Sequence, residues 1–258
     1  MFDSGVGGLT VFRAISRELP HEPLIYLGDS ARVPYGTKSP QIVTRYALEA
    51  ANHLLGRGVK MLVVACNTAT AAALPVLQEK LQIPVIGVVE PGARAAVERS
   101  RGHIGVIATE GTVRSRAYTK AIQQIEPSAE VIESAAPLFV PLAEEGWANT
   151  HVAREVAEIY LEPLIDAGID TLVLGCTHYP ILRNTIEQVV GDQVAIVDSA
   201  ETTAECVRTA LQRRMGFSPS GEARPTHQFL VTDAEERFRR IAAEFLEHEI
   251  ANLELVTL

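Results

Sequence analysis

Short apolar runs alternate with longer amphipathic segments along almost the whole chain. The runs with strand character are residues 24–28, 61–65, 85–89, 104–108, 131–132, 171–175, 194–197 and 228–231. They are rich in Val, Ile and Leu, which is typical of strands that are buried on both faces of a parallel sheet. Because parallel strands need crossover connections, the segments between them are expected to be helices. The pattern therefore predicts an α/β fold.

Residues 39–57 give the clearest helix signal. Ser39 suits the N-cap and Pro40 suits the first helical position, while Gly58 is a terminator. The apolar positions between them recur at helical spacing and are Val43, Tyr46, Ala47, Ala50 and Leu54. We predict that this stripe packs against a sheet.

A repeat with an offset of 110 residues relates the two halves of the chain. The matching positions are Leu54, Gly58, Leu62, Val63 and Cys66 in the first copy and Leu164, Gly168, Leu172, Val173 and Cys176 in the second. In both copies a helix leads through a glycine turn into a strand that ends at the cysteine. A weaker similarity relates Gly5-Val6 near Asp3 to Gly111-Thr112 near Thr109. We predict two similar domains with mostly parallel sheets flanked by helices, related by a pseudo-twofold axis, with an active-site cleft between them.

The same features predict how the chain divides. We expect residues 1–92 together with 206–258 to form the first α/β domain and residues 93–205 to form the second. Glu90-Pro91-Gly92 is one possible boundary, and the Pro/Gly/Ser-rich stretch 215–225 is the best linker candidate.

The composition is that of an ordinary globular protein. The 258 residues are 47% apolar and 21% charged, which excludes disordered and fibrous chains. A net charge of −9 argues against nucleic acid as the main partner. The basic runs at Arg213-Arg214 and at Arg237 with Arg239-Arg240 predict solvated helix faces without functional weight. Without a membrane-length apolar run or a signal peptide pattern, we expect a cytoplasmic protein with reduced cysteines.

Cys66 and Cys176 occupy the most informative positions. Each follows a strand and precedes a helix, which is where ligands bind in open α/β sheets and where the helix N-terminus lowers the pKa of a thiol. The polar residues that follow them are Asn67 and Thr68 in the first copy and Thr177 and His178 in the second. Two thiols on opposite walls of one cleft suit the inversion of a stereocentre, which needs a base on one face of the carbon and an acid on the other.

Other uses of the cysteines fit less well. A lone cysteine at a strand end is more often a packing residue, and no Cys-x-x-C redox pair is present. A zinc site made by Cys66, Cys176 and His178 lacks a second ligand at metal-type spacing beside Cys66. Cys206 lies on an amphipathic segment without polar neighbours of this kind, so we predict core packing for it.

Two further loops offer groups to a small anionic substrate. The glycine-rich loop after Asp3 lacks dinucleotide and Walker spacing, but its backbone N–H groups suit a carboxylate. Asp3 itself either assists a thiol or caps the next helix. Tyr35-Gly36 follows the strand 24–28 and either contacts substrate or forms a turn. Because Lys38 is the only lysine placed for a pyridoxal phosphate Schiff base and no phosphate cup accompanies it, we favour a cofactor-free mechanism.

Four motifs resemble those of the glutamate racemase family. They are Asp-Ser-Gly-Val-Gly-Gly-Leu at residues 3–9, Val-Pro-Tyr-Gly at 33–36, Ala-Cys-Asn-Thr-Ala at 65–69 and Leu-Gly-Cys-Thr-His-Tyr-Pro at 174–180. They occur in the same order across nearly the whole chain. The wider aspartate/glutamate racemase superfamily shares the two cysteines, whereas the first and last motifs look like the glutamate enzymes. A fuller strand precedes the first motif in that family, so we expect a truncated first strand here.

The resemblance implies a cofactor-independent isomerase, usually a homodimer, that converts L-glutamate to D-glutamate for peptidoglycan synthesis, cell wall biogenesis and cell shape. Cys66 would take the α-proton of D-glutamate with the help of Asp3, and Cys176 that of L-glutamate with His178 and Glu144. The resemblance implies that the substrate is held by Asp3, Ser4, Tyr35, Gly36, Asn67, Thr68, Thr109, Thr112, Thr177 and His178. It implies no metal and no cofactor.

Two other functions stay open at this point. One is the racemisation of aspartate or another amino acid. The other is a non-catalytic amino-acid-binding or regulatory protein that keeps the same cleft, because a fold alone does not establish an activity.

Overall fold

Two parallel sheets form the framework of the protein. The computed structural model describes residues 1–214, 216–217 and 225–258. The strands are β1 (Phe2–Asp3), β2 (Ile25–Gly28), β3 (Leu62–Val64), β4 (Val85–Gly87), β5 (His103–Ala108), β6 (Glu130–Ala135), β7 (Thr171–Gly175), β8 (Ala195–Asp198), β9 (Gln228–Val231) and β10 (Leu253–Leu255). The first sheet has the order β10-β9-β2-β1-β3-β4 and the second has the order β6-β5-β7-β8. The predicted α/β class is confirmed.

Helices cover the faces of both sheets. They are α1 (Leu9–Glu18), α2 (Pro40–Gly56), α3 (Asn67–Lys80), α4 (Val89–Arg99), α5 (Glu110–Ser115), α6 (Ala117–Ile125), α7 (Phe139–Glu144), α8 (His151–Asp166), α9 (Arg183–Val190), α10 (Ser199–Arg214) and α11 (Glu235–Leu246). We call the first sheet with α1–α3 and α11 the first lobe, and the second sheet with α4–α9 the second lobe. Helix α10 packs against both α1 and α4 and so joins the lobes.

The two sheets share one topology. The order β2-β1-β3-β4 in the first lobe repeats as β6-β5-β7-β8 in the second. In each lobe the second strand in the chain lies on one side of the first strand, and the third and fourth strands lie on its other side. The direction in which strands are added to the sheet therefore reverses between β1 and β3 and between β5 and β7. Ligands bind outside the carboxyl ends of strands at such a reversal. Both cysteines lie just after a strand at this point: Cys176 directly follows β7, and Cys66 follows β3 with one residue, Ala65, between them.

The local signals in the sequence act as expected. Ser39 caps α2, since its side chain accepts a hydrogen bond from the backbone N–H of Ile42. The glycines before the two cysteine strands, Gly58 and Gly168, both have a φ of +75°, a left-handed conformation that glycine adopts without a Cβ penalty. The same turn therefore delivers both strands to their sheets.

Some sequence expectations about strands and domain boundaries can now be compared with the structure, and others cannot. Strand β1 is only two residues long, which agrees with the expected short first strand, whereas β10 was not predicted as a strand. Residues 90–92, one possible boundary, lie in the first turn of α4, where proline is tolerated. Most of the stretch 215–225 lies outside the described residues. The domain division at 92/93 and 205/206 stays a proposal. Within the described ranges, no helix has the length and apolar character needed to cross a membrane.

Candidate active site

Cys66 lies at the junction between β3 and α3. It is the N-cap of α3, and its Sγ accepts a hydrogen bond from the backbone N–H of Ala69 at 3.4 Å. The hydroxyl of Ser4 is 3.8 Å from the same sulfur. Burial raises the pKa of Cys66 well above its usual range, and the charge of Asp3 raises it further. Cys66 is therefore a neutral thiol, which is the form that can give up a proton.

Asp3 is held at the end of β1 by the glycine-rich loop. Its Oδ2 accepts a hydrogen bond from the backbone N–H of Gly5 at 2.8 Å. Burial raises the pKa of Asp3, while the charge of His178 and the backbone N–H groups of Gly5, Gly8 and Ser4 oppose that shift. Asp3 does not cap α1, because the N-cap is Gly8 and no side chain caps that helix. Its charge acts on Cys66 and His178 instead.

Cys176 belongs to a chain of polar groups that crosses the cleft. Its Sγ lies 3.8 Å from His178 Nδ1, and His178 Nε2 lies 3.1 Å from Glu144 Oε1. The other oxygen of Glu144 accepts a hydrogen bond from Arg237 Nη2 of α11 at 3.0 Å. Residues of both lobes thus build the surroundings of the second thiol.

The charge state of this chain follows from its contacts. Burial alone would lower the pKa of His178, but the hydrogen bonds with Cys176 and Glu144 and the charges of Cys176 and Asp3 raise it to about 10. Burial alone would raise the pKa of Glu144, but His178 and Arg237 lower it below its usual value. At neutral pH both ring N–H groups of His178 therefore donate, one towards Cys176 and one to Glu144. The positive ring stabilises the negative charge that develops on the sulfur when Cys176 loses its proton.

Three threonine hydroxyls join the lobes on another side of the site. Thr68 Oγ1 lies 2.8 Å from Thr109 Oγ1 and 3.3 Å from Thr112 Oγ1, and the last two are 3.1 Å apart. Gly36 packs against this cluster so closely that a Cβ there would lie 2.9 Å from Thr109 Cβ. The hydroxyls are donors that can turn towards a carboxylate.

The Tyr35 hydroxyl is hydrogen-bonded to the buried carboxylate of Asp29. It donates to Asp29 Oδ2, which also accepts from Arg32 Nε at 2.7 Å, while Asp29 Oδ1 accepts from Thr232 Oγ1 at 3.0 Å. Asp29 is fully buried. The burial of Tyr35 itself raises the pKa of its phenol, and the charge of Asp29 raises it further. This network holds the loop 33–36 against the first lobe.

Gly7 lies against Thr177 and His178. An alanine Cβ at this position would lie 2.5 Å from Thr177 Oγ1 and well inside contact distance of the His178 ring, whose position is set by Cys176 and Glu144. We expect Gly7→Ala to lower the free energy of unfolding by about 1–3 kcal/mol, as overpacking does. Urea unfolding measures this change. The matched control is Gly56→Ala in α2, where a Cβ meets nothing within 4 Å and where alanine should stabilise the helix by about 0.5–1 kcal/mol. Equal effects of the two changes would contradict the close contact.

The structure brings the predicted site residues of both lobes to one place. The interactions above connect Asp3, Ser4, Cys66 and Thr68 with Thr109, Thr112, Cys176, His178 and Glu144. Thr177 contributes its backbone carbonyl, which accepts from Thr10 Oγ1 at 2.9 Å. Asn67 is 2% exposed, and its Nδ2 has no hydrogen-bond partner among the residues that the structure describes. The charge of Cys176 contributes to the pKa shift of Cys66, so the two sulfurs lie within electrostatic reach.

Two sequence interpretations need correction. Cys206 is exposed on α10 rather than packed in the core, because its position falls on the solvent side of a helix whose buried stripe is Ala204, Val207 and Leu211. Arg237 is half exposed, but it is not a merely solvated residue, since it pairs with Glu144 and Glu145. Within residues 1–214, 216–217 and 225–258, no three His, Cys, Asp or Glu side chains form a metal-binding group.

Comparisons with known proteins agree with this geometry. Residues 7–207 match the family model for Asp/Glu/hydantoin racemases. A glutamate racemase from Geobacter metallireducens is 54% identical over 260 residues, which cover 100% of this chain and 96% of the relative. A crystal structure of a glutamate racemase isoform from Bacillus anthracis superposes with a TM-score of 0.95 at 41% identity and covers 100% of this chain and 96% of that one. One from Francisella tularensis, in complex with D-glutamate, gives 0.93 at 36% identity, covering 99% and 96%.

Proposed function

The chain belongs to the Asp/Glu/hydantoin racemase family and is therefore an isomerase, and we propose that it interconverts L- and D-glutamate with Cys66 and Cys176 as its two acid–base groups. The observation that carries this proposal is the equivalent position of the two thiols. Each lies at the strand-order reversal of its own sheet, and the two lobes bring them to one buried site. Inversion at carbon needs such a pair of groups on opposite faces.

The polar groups around the thiols suit a substrate with two carboxylates. The Ser4 hydroxyl, the unpartnered Nδ2 of Asn67 and the three threonine hydroxyls are donors, and none of them carries a negative charge. We assign the side-chain carboxylate of glutamate to Thr109 and Thr112, with Tyr35 and Gly36 closing that end. The α-carboxylate then lies near Asn67, Thr68 and Thr177. The buried and hydrogen-bonded setting strengthens each of these contacts.

The proton steps balance with the two thiols alone. In the L-to-D direction, the thiolate of Cys176 takes the α-proton and becomes a thiol, while the thiol of Cys66 delivers its proton to the opposite face and becomes a thiolate. The reverse direction starts from the opposite assignment. His178, held by Glu144, stabilises negative charge on Cys176, and Asp3 keeps Cys66 protonated until it acts.

The product has a clear use. D-glutamate is a building block of peptidoglycan, so the proposed activity supports cell wall biogenesis and cell shape. We propose the cytoplasm as its location, which agrees with three free cysteines.

We also propose a homodimer. Three apolar side chains in or next to the packed helices α7 and α8 are more than half exposed, namely Leu138 at 52%, Trp147 at 51% and Ile159 at 69%. Exposed apolar area of this kind is typical of surfaces that contact another chain. Analytical ultracentrifugation of the wild type and a Trp147→Glu variant checks this, since the variant should shift the chain towards the monomer.

The activity itself has a direct test. Incubation of the protein with L-glutamate in D₂O should give D-glutamate with deuterium at the α-carbon, because the Cys66 thiol exchanges with solvent before it delivers its proton. NMR measures the loss of the α-proton signal, and circular dichroism measures the change of chirality. The reaction should need no added pyridoxal phosphate and should withstand hydroxylamine, which captures that cofactor. Racemisation without deuterium in the product, or none at all, would reject the proposal.

Aspartate is the substrate to compare. It is one methylene shorter, so its side-chain carboxylate cannot reach the threonine cluster while the α-carbon lies between the sulfurs. We expect kcat/KM for aspartate to be at least about 100-fold lower, because a lost charge-assisted contact leaves buried donors unpaired.

A further inference from the structure

Tyr118 crosses from the second lobe to the first at the substrate site. It is the second residue of α6, is fully buried, and donates from Oη to Asn67 Oδ1 at 2.7 Å. Asn67 is the first residue of α3 and directly follows Cys66. The hydrogen bond therefore joins a side chain of one lobe to the residue beside the thiol of the other.

The ring of Tyr118 packs closely against two glycines. A Cβ at Gly175, the last residue of β7, would lie 3.0 Å from the ring, and a Cβ at Gly92 of α4 would lie 3.3 Å from it. Burial raises the pKa of Tyr118, so the phenol keeps its proton and remains a donor. The contacts fix both the ring and its hydroxyl.

A primary amide has two different ends, and only one of them is used within the protein. Asn67 Oδ1 is engaged by Tyr118, whereas Nδ2 is buried without a hydrogen-bond partner. An unpaired buried donor is costly, and its presence in a native site calls for an explanation such as a ligand that uses it. A donor on Oδ1 holds the amide so that Nδ2 cannot exchange places with it.

We propose that Tyr118 is a positioning residue for the reaction, because it orients the Asn67 amide so that Nδ2 donates to a carboxylate of the substrate. Without Tyr118, the amide turns freely and presents an oxygen to the carboxylate for part of the time. The inference rests on the proposed function and adds to it a contact between the lobes that acts on substrate binding rather than on the acid–base groups.

The test is a double-mutant cycle with Tyr118→Phe and Asn67→Ala, measured as kcat and KM for L- and D-glutamate. Tyr118→Phe should raise KM about tenfold for both enantiomers and change kcat less than about threefold, since about 1.4 kcal/mol corresponds to a factor of ten. In the Asn67→Ala background, the same change should have no further effect. Equal effects in both backgrounds, or no effect in either, would overturn the proposal.

Two further proteins keep the result interpretable. Tyr160→Phe is the matched control, because its hydroxyl accepts only from the backbone N–H of Leu138 in the structure, at 3.3 Å, and activity should not change. Asn67→Asp keeps an acceptor for Tyr118 and replaces the free donor by an acceptor, so KM should rise at least about 100-fold even if Tyr118→Phe does not fold. A normal KM for Asn67→Asp would refute the role of Nδ2. A wild type that does not act on glutamate would instead reject the proposed function.

Discussion

Replacing Cys66 or Cys176 by alanine is expected to lower kcat for glutamate racemisation at least about 10³-fold in each single variant. A positioned acid or base contributes about 10²–10⁴-fold to a proton transfer, and the alanine side chain can do neither task. The second thiol cannot compensate, because it faces the other side of the α-carbon and can only return a proton where it removed one. Polarimetry from each pure enantiomer measures both directions.

The Cys66→Ser variant separates a loss of stability from a loss of the acid–base group. Cys66 caps α3 through its bond with the Ala69 N–H, so alanine should also cost about 1 kcal/mol of stability. Serine is a preferred N-cap, but its hydroxyl is a far weaker acid than a thiol. Cys66→Ser should therefore recover the stability and leave the activity lost.

Cys206→Ala is the matched control for both thiols. Cys206 is an exposed thiol on α10, so its removal should change kcat less than about twofold. Glutamate binding, measured by calorimetry, should survive in all three single variants. An active Cys66→Ala or Cys176→Ala protein would mean that one thiol suffices, and a wild-type protein that binds glutamate but never racemises it would favour the non-catalytic alternative.

The position of the thiols was predictable because it depends on local signals. A buried strand, a cysteine and a helix start recur at a fixed offset, and the rules of α/β sheets place such residues at one edge. The same signals predicted all the strands except β1 and β10. Strand β1 has only two residues. Strand β10 has three, in which apolar and charged residues alternate, and its Leu255 is 56% exposed. Neither is long enough to show a period.

The contacts between the lobes were not predictable in this way. Tyr118 and Arg237 act on residues 51 and 93 positions away in the chain, and nothing in their own neighbourhood marks them. Arg237 is an example, because a run of basic residues on a helix usually predicts a solvent-exposed face. Its partner Glu144, the last residue of α7, had only the family resemblance to support it. Such pairs depend on how the lobes meet, which the local pattern does not encode.

His178→Gln is expected to lower kcat about 100-fold, the second-largest loss among these variants. Glutamine keeps a hydrogen-bonding side chain but loses the positive charge beside Cys176, which stabilises the thiolate during proton removal. Glu144 keeps Arg237 as a partner, at 3.0 Å, so the variant does not bury an unpaired charge. Steady-state kinetics measures the loss, and His151→Gln, at the exposed start of α8, is the control that should retain activity. Near-normal kcat would remove His178 from the mechanism.

The same variant tests the charge state of the site through stability. The pKa of His178 is about 10 in the folded protein against 6.5 for an unperturbed histidine, so between these values the folded state holds one proton more than the unfolded state. The free energy of unfolding therefore decreases as pH rises through this window, by at most about 1.4 kcal/mol per pH unit. The stabilisation is fully present below pH 6.5 and lost near pH 10. The difference in stability between wild type and His178→Gln should accordingly shrink as pH increases. Urea unfolding at several pH values measures it, and a constant difference would mean that His178 is neutral in the folded protein and that Cys176 has no cationic neighbour.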